Sequence, residues 1–337
     1  MKQIRRIGVD LAKNVFQVHG VDSHEQVVVR RALSRAKLRE FFAQLPPCLI
    51  GMEACGSAHH WARELERLGH QVRLMAPQFV KPYRKNGKND RNDAEAICEA
   101  LGRPSMRFVP VKDPEQQAVL ALHRARSLLV AERTALINQI RGLLSEYGLV
   151  VGQGAGRLRR ALPELLEDAD NGLPALAREV FAERNSHLRA LDARIEAYDR
   201  HLSTLARHMA PARRLMQVPG VGPLTATAVV ATVGDARVFR NGRQFAAWLG
   251  LVPHQRSTGG KARLGRITKR GDAYLRTLLV HGARSVLCRP GEDRPRRWAQ
   301  ALVHRRGFNK AAVALAAKQA RVLWALLAHP DDYQPAP

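Results

Sequence analysis

Cysteine, aromatic residues and acids are all scarce in this chain. The four cysteines, Cys48, Cys55, Cys98 and Cys288, show no Cys-x-x-Cys spacing, which argues against a zinc site or a disulfide framework and fits a reducing cytoplasm. Aromatic residues make up only 5% of the chain and no long apolar segment stands out, so neither a membrane span nor a signal peptide is expected. Acids number 30 against 55 basic residues, a formal net charge of +25. That imbalance speaks of partners rather than fold: it predicts strong, salt-dependent attraction to phosphate backbones. The cations are spread along the chain and not gathered on one amphipathic face, which argues against a helix lying on an anionic membrane. At 337 residues the chain has room for two domains or one large one.

The few acids are placed tellingly. Asp10 interrupts an apolar, β-branched run, Ile7-Gly8-Val9-Asp10-Leu11, and a carboxylate inside such a strand is costly unless paired or bound to a cation. A second short run, Leu49-Ile50-Gly51-Met52-Glu53, ends on a carboxylate. Lys88-Asn89-Asp90-Arg91-Asn92-Asp93-Ala94 opens a helical pattern whose two aspartates, three apart, share one helical face. Four carboxylates on two strand ends and a helix start suit two divalent cations, and hard oxygen ligands favour Mg2+ or Mn2+ over zinc. Taken alone, Asp90 and Asp93 also fit a capping box, and Asp10 an ion pair.

Residues 1–112 read as β-β-α-β-α-β, an α/β layer fold with its acids at neighbouring strand ends. Arg6–Val21 reads as a buried strand turning into a second strand and forms a hairpin with Gln26–Arg31 joined near Asp22-Ser23-His24, and Ser34 is expected to cap a helix running to Leu45. The basic segment Pro77–Asn92, with Lys81, Arg84, Lys85, Lys88 and Arg91, reads as a loop that draws a polyanion across the acids, or as a solvated surface. Residues 113–210 read as a helical arm: a leucine stripe from Leu120 to Leu144 interleaved with Arg124, Arg126, Arg133 and Arg141, a Gly-rich break from Gly148 to Gly156, and a second stripe from Leu188 to Leu205. Two such helices usually make an antiparallel coiled coil or a subunit interface, the arginines facing solvent or nucleic acid.

Residues 211–330 open on Val218-Pro219-Gly220-Val221-Gly222-Pro223, a helix-hairpin-helix pattern. Gly220 and Gly222 let a phosphate approach the backbone, although a plain αα-hairpin has the same signature. Beyond an apolar cluster around Trp248, the stretch from Pro253 to Asp272 carries hydroxyls, glycines and the cations Arg256, Lys261, Arg263, Arg266, Lys269 and Arg270, with no acid before Asp272. Ser257 among guanidinium groups suits a nucleophile toward a phosphodiester; composition alone favours the alternative, a hydroxyl that only hydrogen-bonds a phosphate.

In order and spacing these motifs resemble, over nearly the whole chain, the DEDD transposases of bacterial insertion sequences, the 110/1111 family, which includes Piv-type DNA invertases. That resemblance implies a ribonuclease-H-like (RuvC-like) catalytic domain, a long helical coiled-coil arm, and a mainly α C-terminal transposase domain with a helix-hairpin-helix. It assigns Asp10, Glu53, Asp90 and Asp93 to a metal-binding tetrad and Ser257 to the nucleophile, with Thr258, where many relatives have a second serine, the weaker candidate. It also implies donor and target DNA, a structured element-encoded guide RNA that pairs with both, dimers assembling as tetramers, and a nucleoid-associated cytoplasmic location. The basic residues Lys85, Lys88, Arg91, Arg256, Lys261, Arg263, Lys269 and Arg270, with Gly220 and Gly222, would hold nucleic acid. A water-using junction resolvase or nuclease, and a non-catalytic binder, are the competing readings.

Overall fold

β-Branched residues dominate the first 34 positions, and the backbone there forms three strands: β1 (Ile4–Asp10), β2 (Val15–Asp22) and β3 (Val27–Ser34). The computed structural model describes residues 3–85, 90–289, 291 and 294–329, with the side chains of Asp90 and Arg294 excluded. It divides into two units, Met1–Pro114 and Glu115–Pro337.

In the first unit α1 (Lys37–Ala43), β4 (Leu49–Glu53), α2 (Ala58–Arg67) and β5 (Gln71–Met75) follow. The expected turn of one strand into a second within Arg6–Val21 is present as β1 and β2, so three strands precede α1, one more than the β-β-α-β-α-β order counts. The expected cap at Ser34 is also corrected: Ser34 ends β3 opposite Val15, and Ala36 precedes the helix. Where a loop was expected, a one-turn α3 (Pro77–Val80) and a 3-10 turn (Lys81–Tyr83) lead toward α4 (Asp90–Leu101), and β6 (Phe108–Val109) closes the unit. The sheet order is β3-β2-β1-β4-β5-β6: antiparallel through β1, parallel from β1 to β5, antiparallel again at β6.

Strand alternation assigns the two faces. Ile7, Val9, Ile50, Met52 and Leu74 join Leu38, Phe42, Trp61 and Leu65 of α1 and α2 in one core. Each such side chain, removed from water, contributes on the order of 2 kcal/mol. Residues of opposite parity face α4: Gly51 lies against Leu101, and a Cβ on Gly8 would stand 2.3 Å from the Ala94 carbonyl oxygen and 2.4 Å from the Cys98 nitrogen. Only glycine lets α4 approach β1 so closely. Asp10 and Glu53, two residues beyond Gly8 and Gly51, share that face.

The second unit begins with α5 (Pro114–Ser145), α6 (Ala155–Glu167) and α7 (Ala175–His208). Arg126 pairs with Asp199 and Arg133 with Asp192, so α5 and α7 run antiparallel around Leu136, Ile140, Leu188 and Ile195. Helix α6, absent from the expected two-helix arm, packs Leu158 and Leu162 into the same core, and its Arg159 also binds Asp192 at 2.6 Å. Arg126, Arg133 and Arg141 therefore have partners inside the arm, the last bonding the Val151 carbonyl.

The remainder comprises α8 (Ala210–Met216), α9 (Pro223–Val233), α10 (Gly242–Trp248), the hairpin β7 (Pro253–Gln255) and β8 (Leu264–Ile267), α11 (Ala273–Leu287), α12 (Arg294–Arg306) and α13 (Phe308–Ala328). Helix α9 is buried nearly all round, as its run of Ala, Thr and Val allows. The expectation of no long apolar segment is corrected by α13, which is long and apolar enough to cross a membrane. Its Ala311, Ala312, Leu315, Ala316, Ala320 and Leu323 instead lie in the core of this unit, next to α9 and α11 residues.

Candidate active site

Parallel register brings the first two acids together. Val9 is paired with Met52, so Asp10 and Glu53 are the next residues on adjacent strands, at the carboxyl ends where α/β sheets present their sites. Both are half-buried. Asp93 comes from the first turn of α4 and is 13% exposed, with Arg84 Nε 2.6 Å from its Oδ1. Both atoms are shielded from water and are not aligned for a hydrogen bond, so the contact is Coulombic.

Electrostatics ties these groups into one site. Burial holds the Glu53 carboxyl above the ordinary range; the Arg84 cation opposes that shift and the Asp93 anion adds to it. The Cys55 thiol is likewise raised, first by burial and then by Glu53 and Asp10. Glu53 thus couples to Asp93 and Arg84, while Cys55 stands in the field of both Glu53 and Asp10. Asp90 begins α4, but its side chain is outside the described residues, as is all of Lys88. Among the described residues, no three His, Cys, Asp or Glu side chains stand close enough to enclose a metal ion. The donors are nonetheless hard carboxylate oxygens, and the cation beside them is supplied by Arg84.

In the second unit the Pro253–Asp272 stretch is a β-hairpin. Its legs are tied by Thr268 N–H to the Val252 carbonyl and Lys269 N–H to the Gly250 carbonyl. Near the tip, Arg256 N–H donates to the Arg263 carbonyl and Lys261 N–H to the Thr258 carbonyl. Ser257 is exposed there, and its Oγ accepts a 2.8 Å hydrogen bond from Gln255 Nε2. That bond orients the oxygen and leaves the hydroxyl proton to donate elsewhere. A cleft of about 650 Å³ is lined by Ser257, Thr258, His254 and the cations Arg256, Arg263 and Arg266. Lys261, Lys269 and Arg270 are exposed on the same hairpin and its legs.

The hairpin glycines differ from each other. Gly220 has φ +83°, and a Cβ there would stand 2.6 Å from the Gly282 carbonyl oxygen, so glycine is required for packing against α11. The side-chain amide of Gln319 donates to the Pro219 carbonyl at 2.7 Å and fixes the turn. Gly222, by contrast, is exposed with open space at its Cβ position. Lys85 forms a surface ion pair with Glu95, and Arg91 is exposed at the start of α4.

Three features escaped the sequence reading. Arg84 was one cation among five, with nothing marking it as the partner of Asp93. Gln255 was detectable in principle, since residues two apart on a strand share a face. The third is a buried polar chain joining three helices of the second unit. Thr227 Oγ1 donates to the Pro223 carbonyl at 2.8 Å, so it accepts from His123 Nε2–H at 3.0 Å; His123 Nδ1 then accepts from the Tyr274 hydroxyl, also at 3.0 Å. Burial, aided by Arg126, pushes the His123 pKa down to about 4.

Comparison with known proteins accounts for both units. A DEDD transposase model of the IS110 type matches residues 7–149, and the model described as "Transposase IS116/IS110/IS902 family" matches residues 212–299. The chain is 58% identical to a probable family 20 transposase of Pseudomonas aeruginosa over 98% of its own length and 99% of that protein. It is 46% identical to the transposase for insertion sequence element IS1111A of Coxiella burnetii, covering 99% of this chain and 92% of that one. It is 40% identical to the IS1328 transposase of Yersinia enterocolitica, covering 96% and 97%. With a half-buried carboxylate pair at neighbouring strand ends and an exposed serine on a cationic hairpin, the chain belongs to the IS110/IS116/IS902 family of insertion-sequence transposases.

Proposed function

We propose that this transposase cuts and rejoins DNA by a metal-assisted transfer to Ser257. The observation that carries the reading is the placement of Asp10 and Glu53 at neighbouring strand ends with Asp93 of α4 electrostatically coupled to Glu53, an arrangement also consistent with a RuvC-like fold. In this reading Asp90 completes the set, and the acids hold Mg2+ or Mn2+, which when bound orients the scissile phosphate and offsets its charge. Arg84 supplies beside Asp93 the positive charge that a bound cation would replace.

Ser257 Oγ attacks phosphorus; the new Oγ–P bond forms as the bond from phosphorus to the leaving sugar oxygen breaks, and that oxygen takes up the proton. Gln255 sets the attacking oxygen, while Arg256, Arg263 and Arg266 stabilise the charge that develops on the phosphoryl group. A phosphoserine link conserves the bond energy, so the reverse attack by a DNA hydroxyl reseals the strand without a nucleotide cofactor. Lys85, Lys88, Arg91, Gly222, Lys261, Lys269 and Arg270 hold phosphate backbones, and Gly220 shapes the turn that presents Gly222.

Sequence choice falls to base pairing with an element-encoded guide RNA, consistent with a surface rich in cations that meet backbones rather than base edges. Residues 1–112, 113–210 and 211–330 form the catalytic, arm and serine-bearing parts. The exposed Leu143, Tyr147, Val150 and Leu176 near the arm's end serve assembly of dimers or tetramers. The test is plasmid excision with purified protein, guide RNA and Mg2+: Asp10→Asn, Glu53→Gln, Asp93→Asn and Ser257→Ala should each abolish excision while DNA binding stays near wild type. Full excision by any acid variant removes that residue from the set, and excision by Ser257→Ala removes the serine.

A further inference from the structure

A second cavity, of about 1070 Å³, lies on the other side of the serine hairpin, between β8, α10, α12 and α13. Its floor is apolar: Ala246, Leu251, Val313, Ala314 and Ala317, with Trp298 at one wall. Arg243, Arg266, Lys310 and Arg321 also line it, and no acid does among the described residues. Gly265, Arg266 and Ile267 of β8 line both this cavity and the Ser257 cleft, so the two share a wall.

An apolar floor with an aromatic wall and cationic lining fits a ligand that is flat and apolar at one end and anionic at the other. A nucleotide unstacked from its neighbours has that form: the base can leave water while its flanking phosphates meet the arginines. A second copy of this chain, also at +25, lacks the complementary charge. We propose that this cavity receives an unpaired base of the DNA strand being cut, next to the phosphodiester that lies in the Ser257 cleft. The proposal rests on the nucleic-acid reading of that cleft and adds what holds the strand: one nucleotide is gripped beside the break, which fixes the phosphate relative to Ser257.

The test compares full-length protein binding to a fluorescent dT 12-mer and to an abasic DNA 12-mer with the same number of phosphates, alongside the corresponding RNA 12-mers, oligo-U and abasic. Wild type should bind the dT strand about tenfold more tightly, the size expected for one base seated against an aromatic wall. Trp298→Ala, at a side chain already 36% exposed, and Ala317→Leu, which fills the floor, should each remove most of that preference and leave abasic affinity within about twofold. Equal wild-type affinity for the two strands, or a preference that survives both substitutions, overturns the base site and leaves the transposase reading standing. A preference seen only with the RNA 12-mers overturns the assignment to DNA. Absence of binding to every strand overturns the nucleic-acid reading of the cleft along with the proposal.

Discussion

Acidification should weaken the second unit through one residue. His123 is 2% exposed and held neutral between Tyr274 and Thr227, with its pKa lowered from 6.5 to about 4. Above pH 6.5 the ring is neutral folded or unfolded, and its contribution to stability is fully present. Below that value the unfolded chain takes up a proton that the folded chain refuses, so stability falls by about 1.4 kcal/mol per pH unit, for a total of about 3 kcal/mol by pH 4. His123→Gln keeps a donor toward Thr227 but cannot titrate. At pH 7.5 the variant should be less stable by about 1 kcal/mol, the worth of an imperfectly replaced hydrogen bond. Between pH 7.5 and pH 5.0 the difference between wild type and variant should move by about 2 kcal/mol in the variant's favour. Hydrogen exchange of the buried α9 amides, analysed after correction for the intrinsic pH dependence, measures this without requiring the two units to unfold together. A constant difference across that range would refute the assignment of a neutral, buried His123.

Two further substitutions probe the acidic site. Gly8→Ala puts a methyl group against the Ala94 carbonyl and Cys98 nitrogen, forcing α4 off β1; urea denaturation should show a loss of about 1–3 kcal/mol or more, and wild-type stability would contradict the close approach. Arg84→Gln removes the cation beside Asp93, a partly buried ion pair worth on the order of 1 kcal/mol. Calorimetric Mg2+ binding should therefore tighten by roughly fivefold; unchanged or weaker binding would contradict the place-holding role of Arg84.

The placement of Asp10 and Glu53 at neighbouring strand ends was legible because each breaks or ends an apolar run, a cost that announces itself in one dimension. Arg84 was not, because its partner lies beyond a basic stretch in which every cation looks alike. Arg126 and Arg133 appeared available to solvent or nucleic acid because Asp199 and Asp192, the acids that satisfy them, are about sixty to seventy residues away and meet them only when α5 and α7 pair. Helix α6 was hidden by flanking glycines and by Pro163 in its interior; burial of Leu158 and Leu162 and the Arg159 ion pair override those local signals. Lys310, Lys318 and Arg321 interrupt the apolar pattern of α13, which concealed its length. The glycine at 220 was read for its openness to phosphate, whereas the α11 backbone lies against it.

Transfer to Ser257 is tested most directly by the fate of a nicked suicide DNA substrate incubated with the protein, guide RNA and Mg2+. The expected product is a covalent protein–DNA adduct that mass spectrometry maps to Ser257, absent without the divalent cation and absent in Ser257→Ala. Cleaved DNA with no attached protein, or an adduct on another residue, would contradict it.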